Sequence, residues 1–146
     1  MSPQRNAGLR PFALKVLNHR AGSNAGARQL ADAAQRAYDD LARVSIPLIS
    51  HVGLDALTGR ALYRVHRTYP WLVPVHEASE WHGPFAHVIS CLEQQEPAVA
   101  AEAAGAVLST LTELLVTFIG EPLTARILQE AWPDAFADTA PRRHQV

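Results

Sequence analysis

The sequence predicts an all-α bundle of five to six helices, and three observations carry that prediction. Apolar residues recur at three- and four-residue steps through most of the chain, which is the spacing of a buried helix stripe. Nothing in it shows the alternation of period two that marks a strand. Prolines and glycines fall where such helices would begin or end. At 146 residues, 48% of them hydrophobic and 18% charged, the chain suits one domain burying roughly 70% of its unfolded surface.

Residues 1–26 carry Arg5, Arg10, Lys15 and Arg20 with no acid, and read as a basic, partly ordered arm. The domain proper is predicted over 27–133. Its first helix, over 27–50, places Leu30, Ala33, Ala34, Ala37, Tyr38, Leu41, Val44 and Leu48 on one face. Pro47 lacks a backbone donor and predicts a kink or stop near Ser45, with Gly53 closing the turn. A second helix, over 54–68, turns Leu57, Ala61, Leu62 and Val65 inward and halts before Pro70. A loop covers 70–83. The third helix begins at Pro84, whose fixed dihedral suits a first turn, and carries Phe85, Val88, Ile89 and Leu92. The fourth, over 97–119, is the predicted central helix, with a seam of Val107, Leu111, Leu114 and Phe118. The last runs from Pro122 to Trp132, and 134–146 reads as a tail.

An internal echo adds architecture to this list. Leu57, Thr58, Arg60 and Leu62 return as Leu123, Thr124, Arg126 and Leu128, an offset of 66. Upstream, Leu41, Val44, Leu48 and Ile49 match Leu111, Leu114, Phe118 and Ile119 at an offset of 70. The difference of four residues is about one helical turn. Two related helical hairpins are predicted, each a long helix followed by a shorter one, packed with pseudo-twofold symmetry.

Charge and cysteine usage bound the setting. The net charge is −1, but residues 1–75 hold ten basic and four acidic groups against three and ten in 76–146. Such asymmetry suits self-association or an anionic partner. One cysteine, Cys91, excludes an internal disulfide and fits a reducing, cytoplasmic compartment. Twelve arginines against one lysine suggest a GC-rich bacterial source. The apolar runs are interrupted too often to predict a membrane span.

Candidate sites fall into three groups. His76, Glu80, His82 and His87 form the densest set of metal-ligand types, since His76 and Glu80 would share a helix face and a third imidazole could close a shell. The set lacks the second histidine of H-E-x-x-H, and a solvated polar loop is the plainer account. Leu111 and Phe118 on the central seam, with the repeated cations Arg60 and Arg126, are the predicted interaction residues. Arg60, Arg64 and Arg67, with the basic arm, are the one combination suited to nucleic acid, against an overall pI of about 6.6. His87 and Cys91 stand one turn apart, but no oxyanion hole or orienting group completes a nucleophile. No phosphate loop, paired catalytic acids or serine elbow occurs, so no enzyme is predicted.

The reading is a small helical protein-interaction or regulatory signalling module acting through a helix face as a homodimer. The alternatives are a metal- or small-ligand-binding sensor, with a divalent metal as its cofactor, and a nucleic-acid regulator.

Overall fold

The computed structural model describes residues 9–22, 24–72 and 84–137, apart from the side chains of Arg10, Pro84, Ala86, His87, Phe136 and Ala137. Among the described residues it is all α: α1 (Arg10–Ala21), α2 (Ala27–His66), α3 (Pro84–Glu93), α4 (Pro97–Ile119), α5 (Glu121–Ala131) and α6 (Pro133–Ala137). Five of these six carry proline in the first turn, where its missing N–H removes no helical bond. The exception, α2, opens without one, and Gln29 Oε1 instead accepts the Gly26 N–H at 2.8 Å.

α2 is not one rod but two helices that meet at a kink. Ser50 leaves helical geometry at φ 75°, ψ 163°. The phenol oxygen of Tyr38 lies 2.9 Å from Thr58 Oγ1, whereas a straight helix would hold those residues about 30 Å apart. The chain therefore folds back at Ser50 into a long arm, 27–49, and a shorter arm, 51–66. Ser50 caps the second arm, its Oγ accepting the Gly53 N–H at 3.1 Å. The break falls at Ser50 and not near Ser45, because Pro47 sits on the exposed side of the last turns, where losing one bond leaves the helix intact. Leu54 to Thr68, expected as a separate helix, is this second arm.

α4 and α5 repeat the arrangement. Gly120 joins them at φ 95°, ψ 156°, close to the angles of Ser50, and lies 70 residues after it. Beyond each elbow a threonine back-bonds one turn upstream: Thr58 Oγ1 to Leu54 O at 2.9 Å, and Thr124 Oγ1 to Gly120 O at 2.7 Å. The four extra residues of the first copy are thus one added turn, 51–54, directly after its elbow.

The halves interlock. The widest contact is between α2 and α4, α1 lies more on α4 than on the α2 it leads into, and α3 lies on α2 far more than on α4. Small residues allow these close approaches: Ala31, Ala33, Ala34 and Ala37 on α2 and Ala100, Ala103, Ala104 and Gly105 on α4 are all buried. A Cβ at Gly105 would run into the Leu14 side chain of α1.

α1 revises the expectation for the N-terminal segment. Leu9, Ala13, Val16 and Leu17 are buried in the common core, so Arg10–Ala21 is a packed helix and not an arm. At the other boundary, Pro133–Ala137 adds a short helix where a tail was expected, burying Ala135. α4 is long and apolar enough to cross a membrane by length and composition, and 61% of its most apolar window is buried inside the bundle.

Candidate interaction surface

The two long helices bury the same register and then run out of core at the same point. On α2, Leu30, Ala33, Ala34, Ala37, Tyr38 and Leu41 are buried, Val44 is half-buried and Leu48 is 55% exposed. On α4, Val107, Leu111 and Leu114 are buried while Phe118 is 59% exposed. Leu48 and Phe118 each stand two residues before an elbow.

Both elbows lie at one end of the bundle. Leu48, two residues before Ser50, and Leu123, three after Gly120, line one cleft of about 460 Å³ with Val44, Pro47, Ile127 and Arg126. The α5 helix runs back along the long arm of α2 from there, since Trp132 Nε1 donates to Ala37 O at 2.9 Å. Val52, 78% exposed, and Leu123, 36% exposed, complete an apolar cap around the elbows. The segments 47–53 and 117–123 contain two ionisable side chains, His51 and Glu121. An exposed apolar patch of a few hundred Å² on a monomer commonly marks a contact site.

Away from this end, polar groups fasten the fold. Arg20 forks onto Asp134, with Nε to Oδ2 at 2.9 Å and an Nη to Oδ1 at 3.2 Å, and reaches Asp40 at 2.7 Å. The hydrogen bonds it donates to Asp134 hold the Arg20 guanidinium above its ordinary pKa. Burial pushes the Asp40 and Asp134 carboxyls up, but the bonds and charge of Arg20, with Arg43 also on Asp40, outweigh it and hold both below the usual carboxylate range. Burial also pushes the Tyr38 hydroxyl up to about 12, against the hydrogen bond with Thr58. The Tyr38 ring stacks on Phe85 with centroids 4.3 Å apart, tying α3 to the first hairpin. Arg20, Asp40 and Asp134 satisfy one another, and a cleft of about 450 Å³ lined by Arg20, Arg36, Asp39 and Asp40 opens beside them.

The predicted site residues separate. Leu111 is fully buried inside one chain and presents no face to a partner, because α2 already covers the seam it belongs to. Phe118 is the part of that seam left outside. Arg60 and Arg126 are both exposed but line different clefts, so they do not converge on one ligand. Of the predicted metal ligands, His76, Glu80 and His82 lie outside the described residues, as does the side chain of His87. Among the described residues no group of three or more His, Cys, Asp or Glu side chains is placed to hold a metal. Cys91 is half-buried on α3. Leu48, Val52 and Leu123 were not foreseen as site residues. The 70-residue echo pairs Leu48 with Phe118, which was the available signal.

Comparison with protein-family models, with curated proteins and with solved structures finds no match to this chain.

Proposed function

We propose that this protein is a helical interaction module that pairs with a second copy of itself through the elbow end. The supporting observation is the set of exposed apolar side chains, Leu48, Val52, Phe118 and Leu123, each within three residues of an elbow. The long seams do not themselves ask for a partner, because a single chain buries them.

A second copy is the favoured occupant because the cap is built from two similar pieces. In an isologous contact each surface meets its own twin about a twofold axis, so a cap with two equivalent elbows is suited to place one elbow against the other elbow of its partner.

Sedimentation equilibrium across a concentration series tests the reading. The wild-type chain is expected to dimerise, and Phe118→Asp and Leu48→Asp to give folded monomers, since both side chains are already in water in one chain. Tyr63→Asp, exposed on a different face, should leave the dimer intact. A wild-type chain that stays monomeric at high micromolar concentration would refute the proposal.

A further inference from the structure

The second arm of α2 carries an exposed basic stripe. Arg60, Tyr63, Arg64 and Arg67 follow one another at helix-face spacing and line a cleft of about 390 Å³ that includes no acid. All four are exposed, Tyr63 to 65%. The stripe begins ten residues beyond Ser50, about 15 Å along the helix, so it is separate from the elbow end.

Of the described arginines of this half, Arg20, Arg36 and Arg43 each meet an aspartate within 4 Å, whereas Arg28, Arg60, Arg64 and Arg67 have no ion pair among the described residues, and of these Arg60, Arg64 and Arg67 stand together on one helix face. Arg60 with Arg64, and Arg64 with Arg67, are like charges one helical turn apart, a spacing at which they repel. The helix C-terminus compensates the cations of its last turn, Arg64 among them, but Arg60 lies too far upstream to gain from it. The side chains are thus arranged to receive negative charge from outside.

We infer that this stripe binds single-stranded nucleic acid, its arginines taking successive phosphates and Tyr63 stacking on a base. An acidic protein surface would engage the three guanidiniums and leave the phenol ring in water. A single strand uses both parts of the stripe, because its backbone offers phosphates while its unpaired bases offer faces to an aromatic ring. Duplex is disfavoured, as its bases are stacked on each other and one short arm supplies too few cations for a groove. With three phosphate contacts, binding weakens with salt at a log–log slope of about −2.

Fluorescence anisotropy of a labelled oligothymidylate of a dozen or so nucleotides, at low salt and across a salt series, tests this on the full chain. Arg60→Gln, Arg64→Gln and Arg67→Gln should each flatten the slope by about 0.7. Tyr63→Leu should weaken binding by about 5- to 150-fold with the slope unchanged, and Tyr63→Phe should restore it. All four positions are exposed, so circular dichroism should show unaltered helicity. Absence of binding at low salt overturns the inference. So does equal competition by polyglutamate with no effect of Tyr63→Leu, which would assign the stripe to an acidic protein. Phe118→Asp should leave binding of this probe in place, so failure of the self-association reading is read separately.

Discussion

The Ser50 and Gly120 elbows hold nearly the same backbone angles with different residues. At φ near +90° and ψ near 160° a side chain is strained, and glycine is the residue that adopts the conformation without penalty. Gly120 does so, and nothing closer than Pro122 Cδ at 3.9 Å would meet a Cβ there, so the constraint at that site is backbone alone. Ser50 accepts the strain and offsets part of it by capping the arm that follows. The same half also places Ser45, fully buried with an Oγ that has no hydrogen-bond partner among the described residues, where the repeat in the other half has Leu115. The first hairpin therefore carries two polar departures from a pattern the second follows with glycine and leucine. Similar folds can be reached with unequal local stability, the difference being made up by contacts such as the Tyr38 stack on Phe85.

The largest expected effect is on the second hairpin's anchor. Trp132 is fully buried and donates to Ala37 across the two halves, so Trp132→Ala should lose about 3–5 kcal/mol in urea unfolding. Retained wild-type stability would mean the hairpins do not depend on each other. Next comes the exchange of elbows. Gly120→Ala should cost about 1–3 kcal/mol, because the strained angles then carry a Cβ. Ser50→Gly should lie within about 1 kcal/mol of wild type, relief of strain opposing loss of the cap and a freer unfolded chain. Equal costs at the two sites would break the correspondence between them. Ser45→Ala should stabilise by up to about 1 kcal/mol, since it removes a buried hydroxyl with nothing to bond.

The smallest effect is electrostatic. Asp40 and Asp134 have native pKa values below the unfolded value of about 3.9, so their contribution is complete above that pH and is lost as pH falls through the native values. Thermal unfolding between neutral pH and pH 3 should show this acid loss, and Arg20→Gln should shrink it. Asp134→Asn is expected to remove more of it than Asp40→Asn, because Arg20 forks onto Asp134 with two bonds.

Much of this architecture is written in residue spacing. The seam from Val107 to Leu114 and the stripe from Leu30 to Leu41 are buried as their periods require, and the prolines at 84, 97 and 122 open helices. The elbow at Ser50 was not read, because propensity places breaks at proline and cannot show that a serine is held at positive φ by its partners. α1 was missed because Lys15, His19 and Arg20 interrupt the short apolar stripe of Ala13, Val16 and Leu17. The tripeptide Pro-Phe-Ala at 11–13 recurs at 84–86, at the start of α3, and could have revealed it. At the surface the limit is different. Periodicity tells that Phe118 belongs to the same face as Leu111, but not where the covering helix stops, and that boundary separates a core residue from a contact residue.

The Arg20 fork joins residues 114 positions apart, and α1 rests chiefly on α4. During synthesis α1 can thus pair Arg20 with Asp40 early but completes the fork only after Asp134 has been made. The chain does not add one self-sufficient repeat to the next, as a solenoid does, and its contacts are more distant in sequence than those of a simple up-and-down bundle. Refolding should be slower than for a local helical hairpin of equal stability, and a ribosome-bound N-terminal half should keep Val16 and Leu17 exposed until the second half arrives.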